Sequence, residues 1–172
     1  ATVRGPEPQV YATTLLIGPD GSLIGRHEKQ VLFGFEQECI SCGRIESAVF
    51  ETALGRIGLY SCMDGLLPET TRVLALRGAQ ILLNSLNSGG PDEETEHIPV
   101  RAAENRVWIV SANKVGPIAQ GHALRYAGGS QVIDPEGRTV ARAGRQDEEI
   151  VYATIYPEQA DDKRVGEGND LL

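Results

Sequence analysis

An α/β fold with hairpins set among buried strands is what this 172-residue sequence predicts, and three observations carry that expectation. Short strand-like runs alternate with helix-like runs along the chain, the pattern of strands with helices packed on a sheet. Two strand runs, at 80–86 and 107–113, are mostly apolar on both faces, as strands covered from both sides are. Elsewhere, Pro-Asp-Gly and Pro-Glu-Gly turn signals mark hairpins among the strand-like runs.

The elements follow in chain order. Residues 10–18 and 23–33 are β-type runs on either side of Pro19-Asp20-Gly21, which predicts a hairpin. Residues 47–52 and 56–62 form a second pair across Leu54-Gly55. A helix then starts near Pro68, with Glu69 favourable to its dipole, Val73, Leu74 and Leu76 as its apolar positions and Gly78 as its stop. A buried strand at 80–86, a polar loop at 87–96, a helix at 97–106 and a buried strand at 107–113 come next, with Trp108 in the core. The last two predicted strands, 130–137 and 148–156, flank a Pro-Glu-Gly turn. There are no internal repeats or low-complexity linkers, so one domain over 1–172 is expected.

Composition narrows the function. With 41% hydrophobic and 23% charged residues the chain can build a core, and a net charge of -8 with scattered Lys and Arg disfavours nucleic acid or an anionic membrane as partner. A small molecule or a protein fits better. No apolar run reaches the roughly 18 residues a membrane span needs, and residues 1–9 lack a charged-then-apolar signal segment, so a cytoplasmic protein is expected. Three cysteines, an odd number, argue for reduced thiols. The chain starts at Ala rather than Met and heads into a strand, which suggests part of a longer protein.

Cys62 carries the most information. It ends an apolar strand run, and Asp64, Gly65 and a helix start follow within a few residues. Taken alone, a strand-end cysteine is well explained as a small buried hydrophobe. A nucleophile on a strand-turn-helix junction, however, sits where backbone N–H groups can lower a thiol pKa and hold an oxyanion. The logic is that of a nucleophile elbow, although G-x-S-x-G itself is absent.

The surroundings of Cys62 resemble a known family. The segment 55–83, with Cys62, Asp64, Pro68, Glu69, Arg72, Gly78 and Ala79, is similar to the nucleophile segment of the nitrilase superfamily, the carbon–nitrogen hydrolases. Residues 11–33 resemble that family's tyrosine-led strand, Pro-Asp-Gly turn and lysine strand; 98–116 its Arg-Ala-x-Glu-Asn helix and next strand; 126–137 its Gly-x-Ser and Asp-Pro-x-Gly stretch. The motifs occur in the family's order over nearly the whole chain.

The resemblance implies a four-layer α-β-β-α sandwich with mixed sheets, self-associating as a homodimer or higher homo-oligomer. It implies Cys62 as nucleophile, Lys29 as the family's lysine and Glu36 as its second glutamate, with Glu38 the alternative if the loop register slips. Met63, through its backbone N–H, would share oxyanion stabilisation with Lys29. Asn87 either lines the pocket or caps its loop. Asp64, Glu69, Arg72, Arg101 and Glu104 are assigned to scaffold hydrogen bonds and ion pairs. No residue matches the family's first glutamate, its general base. The lysine strand also departs from the usual Tyr-Arg-Lys-x-His-Leu, reading His27, Glu28, Lys29, Gln30, Val31 and Leu32, and Ala12 stands where an Asn is usual.

The implied function is cofactor-free hydrolysis of a non-peptide C–N bond in a small amide or carbamoyl compound through a thioester, releasing ammonia or amine. Nitrile hydrolysis is less expected, because nitrile-active relatives tend to show Cys-Trp-Glu where this chain has Cys62-Met63-Asp64. The alternative is a non-catalytic or truncated piece serving as an interaction module. Cys39-x-x-Cys42 has metal or redox spacing but no second pair, and His27, His97 and His122 are dispersed, so no metal is expected. Gly128-Gly129-Ser130 reads as a turn before a strand, and no glycine-rich phosphate cradle is present.

Overall fold

The computed structural model describes residues 9–44, 46–89, 97–117 and 125–170. The first hairpin pairs β1 (Thr13–Ile17) with β2 (Leu23–Glu28) antiparallel. Its turn is made by Gly21 at φ +82° and by the Asp20 carboxylate, which accepts the Ser22 N–H (3.1 Å) and hydroxyl (2.7 Å). The second strand ends at Glu28, short of the predicted residue 33. The reason lies in the donors: the Gln30 and Val31 N–H groups turn toward the Asp64 carboxylate and away from any strand partner.

β3 (Val49–Thr52) and β4 (Gly55–Ser61) form the second hairpin, closed by Gly55 at φ +114° and by the Thr52 hydroxyl donating to the Gly55 carbonyl. Helix α1 (Pro68–Leu76) has its proline in the first turn, where a missing N–H costs nothing, and the chain reverses at Gly78 with φ +89°. β5 (Ile81–Leu86), α2 (Ile98–Asn105) and β6 (Trp108–Asn113) follow as expected. Of the predicted polar loop only 87–89 lie among the described residues.

β7 (Gln131–Ile133) pairs with β8 (Thr139–Arg142), which corrects the last predicted hairpin. The Asp134 carboxylate accepts the N–H groups of Glu136 and Arg138, both at 2.9 Å, so the chain folds back at once and fills the sheet edge with residues 139–142. Residues 148–156 form no ladder with any described strand. They run over the sheet face, with Ile155 packed on the core and the Trp108 indole N–H donating to the Tyr156 carbonyl at 2.9 Å. Near the C-terminus β9 (Arg164–Gly166) and β10 (Asn169–Asp170) make a two-stranded ribbon.

The main sheet has the order β3-β4-β5-β6-β7-β8. Its centre, β4-β5-β6, is parallel, and its flanks are antiparallel. Helices α1 and α2 cover one face through Leu74, Ala75, Ile98 and Ala102, which meet Tyr60, Leu82 and Ile109. The other face carries Ile57, Leu59, Ile81 and Trp108, against which Leu16 of the first hairpin, Phe50 and Ile155 pack. Alternation along β4 explains its unbroken apolar run, since Ile57 and Leu59 serve one face and Tyr60 the other. Full burial of a side chain such as Leu82 contributes about 1.5–3 kcal/mol, so both faces stabilise the sheet. Among the described residues no helix is long and apolar enough to cross a membrane.

Candidate active site

The carboxyl ends of the three parallel strands define the site. β4 stops at Ser61, and Cys62 opens a 3-10 turn, Cys62–Leu66, at φ +49°, a left-handed value that non-glycine residues seldom adopt. The Cys62 N–H donates to Asn84 Oδ1 at 3.1 Å, and Asn84 Nδ2 donates to Ser111 Oγ at 3.4 Å. Strand register makes this row: Asn84 lies opposite Tyr60 on β4 and opposite Ser111 on β6. Cys62 is half-buried, beside a cavity of about 10 Å³ that Tyr60, Asn84 and His97 also line. That space suits one water molecule.

Asp64 is the hub of the turn. Wholly buried, it takes four donors: the Gln30 (3.0 Å) and Val31 (2.8 Å) N–H groups at Oδ1, and the Ser61 N–H (3.1 Å) and His27 Nε2 (2.7 Å) at Oδ2. A carboxylate has about four lone-pair sites, so its acceptor capacity is filled. From the other side Arg101 of α2 donates to the carbonyls of Gly65 and Leu66, each at 3.0 Å, and pairs with Glu104 at 3.0 Å. The turn is thus clamped between the first hairpin and α2.

Lys29 lies just beyond β2. Its N–H donates to the Ala12 carbonyl and its own carbonyl accepts the Gly43 N–H, both at 2.8 Å. Its side chain is buried, and Nζ donates to both oxygens of Glu36, at 2.9 and 2.7 Å. Glu36 belongs to a 3-10 turn, Gly34–Glu38, and its Oε2 also accepts the Phe33 N–H at 2.7 Å. Because Asp64 binds the two residues after Lys29 and lies two residues after Cys62, one buried carboxylate ties the lysine segment to the Cys62 turn.

Lys29 and Glu36 are therefore brought together, and Cys62 and Met63 share the turn that Asp64 ties to them. Glu38 is exposed and Glu36 faces the lysine. Asn87, expected either to line the pocket or to cap its loop, is exposed past the end of β5; Asn84, which sequence reasoning passed over, is the asparagine bonded to Cys62. The signal was an Asn inside an apolar strand, a residue type that is buried there only with partners. Asp64, Arg101 and Glu104 make the scaffold bonds expected of them, whereas Glu69 is exposed on α1. Cys39 and Cys42 are exposed free thiols, and the described residues hold no group of three metal-ligating side chains; His122 lies outside them.

Comparison with known proteins bears on this geometry. A sequence model for the carbon-nitrogen hydrolase family matches residues 3–164. The chain is 30% identical over 163 residues to a nitrilase of Pyrococcus abyssi, covering 95% of this chain and 60% of that protein. The crystal structure of Saccharomyces cerevisiae Nit3, a member of branch 10 of the nitrilase superfamily, superposes with a TM-score of 0.76 at 30% identity, over 89% of this chain and 56% of that one. An amidase of Nesterenkonia sp. AN1, whose active-site cysteine carries the acetamide moiety of fluoroacetamide, superposes with a TM-score of 0.71 at 29% identity, over 78% of this chain and 51% of that one. The chain thus spans little more than half the length of these relatives. Motif order, sheet topology and these likenesses agree that the chain has the nitrilase fold and belongs to the carbon-nitrogen hydrolase family.

Proposed function

We propose that the protein hydrolyses the C–N bond of a small linear amide or carbamoyl compound through a thioester on Cys62. The observation that carries this reading is the ion pair of buried Lys29 with half-buried Glu36, held through Asp64 to the Cys62 turn. Sulfur attack on an amide carbonyl builds negative charge on oxygen, and the Lys29 ammonium stabilises it together with the Met63 N–H. That N–H belongs to the first turn of a helical segment, whose donors have no carbonyl partner within it. Glu36 holds the ammonium in place by two hydrogen bonds and orients it, or the water that later hydrolyses the thioester. The left-handed backbone at Cys62 agrees with this role, because strained residues persist where the surrounding structure over-determines them, and such positions cluster at functional sites. The cysteine adduct in the Nesterenkonia amidase supports the thiol route. The same reading takes from the family a carboxylate base upstream of the matched residues and self-association of the chain.

The test is ammonia release from a panel of short amides and carbamoyl compounds, with Cys62→Ala as control. Wild-type release that the variant abolishes supports the reading. Equal release by both, or none from a protein that includes the upstream carboxylate, overturns it in favour of an interaction module on the same scaffold.

A further inference from the structure

Resting on that reading, we propose that His27 is a positioning residue of the hydrolytic site, one that acts through Asp64 to hold the nucleophile turn and Lys29 in register. His27 is 3% exposed, and its Nε2 lies 2.7 Å from Asp64 Oδ2. A carboxylate only accepts hydrogen bonds, so Nε2 is the donor. The remaining donors on Asp64 are backbone groups that bracket the chemistry: Ser61 directly precedes Cys62, and Gln30 and Val31 directly follow Lys29. His27 is the side-chain donor in that set. Without it the Oδ2 oxygen keeps the Ser61 N–H alone and is free to rotate, which loosens the Gln30 and Val31 contacts at Oδ1 as well.

The geometry matters because the two halves of the site come from elements far apart in sequence. Lys29 follows a hairpin that lies outside the six-stranded sheet, whereas Cys62 rides on the central strand β4. No ladder bond joins β2 to β4. The His27–Asp64 contact and the two backbone bonds beside it fix what the sheet leaves unfixed. A displacement near 1 Å at the reacting groups costs up to about 100-fold in rate, so a residue that never touches substrate can control turnover.

The experiment compares His27→Phe, which keeps a planar ring and loses the donor, with His27→Gln, whose amide nitrogen can reach Asp64. A Cys39→Ser/Cys42→Ser background leaves Cys62 as the thiol to be followed. Two readouts are taken on chains shown to be folded: the rate of Cys62 alkylation by iodoacetamide, and kcat and KM for amide hydrolysis. For His27→Phe the expectation is alkylation slowed about 10-fold or more and kcat reduced by up to about 100-fold with KM within about 3-fold, the pattern of lost alignment. His27→Gln is expected to retain both. Wild-type values in His27→Phe overturn the proposal while leaving the hydrolase reading intact. In a protein that includes the upstream carboxylate, a wild-type Cys62 that alkylates no faster than an ordinary free thiol and releases no ammonia overturns both. Should the Phe variant fail to fold, His27→Asn replaces it, since its shorter amide cannot span the distance; equal behaviour of the Asn and Gln variants then overturns the proposal.

Discussion

Cys62 and Asp64 show how much of this site is set by single residues. With Cys62 at φ +49°, a Cβ sits in the left-handed region at a cost of roughly 1–2 kcal/mol, which glycine avoids. Cys62→Gly is therefore expected to be more stable than Cys62→Ala by about 1 kcal/mol in urea unfolding, with both inactive. Asp64→Asn keeps the shape but points an amide N–H₂ at donors that had an oxygen. It leaves at least one of four buried donors unmatched and is expected to lower stability by about 2–3 kcal/mol, read from the same unfolding curves. Loss of Lys29 has a different signature. Lys29→Met removes the cation and strands Glu36 half-buried, so it is expected to cut kcat by about 100-fold or more while substrate binding changes little.

At the scale of elements, the parts that repeat a local pattern were legible and the parts that depend on lateral contact were not. The Pro68 start and Gly78 stop of α1 and the apolar runs of β5 and β6 follow from backbone chemistry within each segment. The premature end of β2 and the loss of 148–156 as a ladder strand do not. They depend on Asp64, more than thirty residues away from the Gln30 and Val31 N–H groups it accepts, and on β8 occupying the sheet edge. In the site, the family's motifs led to Cys62, Lys29 and Glu36, but Asn84 meets Cys62 through strand register and His27 meets Asp64 across 37 residues of chain, and neither contact could be read from spacing. The Cys62 turn also has little slack. A Cβ at Gly65 would lie 2.7 Å from Cε2 of Tyr60, a ring 1% exposed and unable to yield. Gly65→Ala is expected to cost about 1–3 kcal/mol and to displace Cys62, checked by unfolding midpoint and amide turnover together.

Over the whole molecule the C-terminal segment closes the structure around α2. Lys163 donates to the carbonyls of Asn105 and Arg106, at 3.0 and 2.9 Å, capping that helix where its carbonyls lack partners. Burial pulls the Lys163 pKa down to about 8. In the unfolded chain it keeps its ordinary value of 10.5, so between those limits the unfolded state holds the proton that the folded state has lost. Stability from this group therefore rises with pH through that window and is flat below it. The gain is expected in the wild-type chain and absent in Lys163→Met, measured as the difference in urea midpoint between neutral and alkaline buffer.

The four-donor clasp on Asp64 has a consequence for dynamics. The Gln30 and Val31 amide protons point at a fully buried carboxylate that reaches them only after a loop of more than thirty residues has closed. They cannot exchange with deuterium by local fraying of a strand edge; they exchange when the hairpin separates from the central strand. Their protection factors thus report, in a single spectrum and without any substrate, what fraction of molecules has the lysine and the thiol assembled at all.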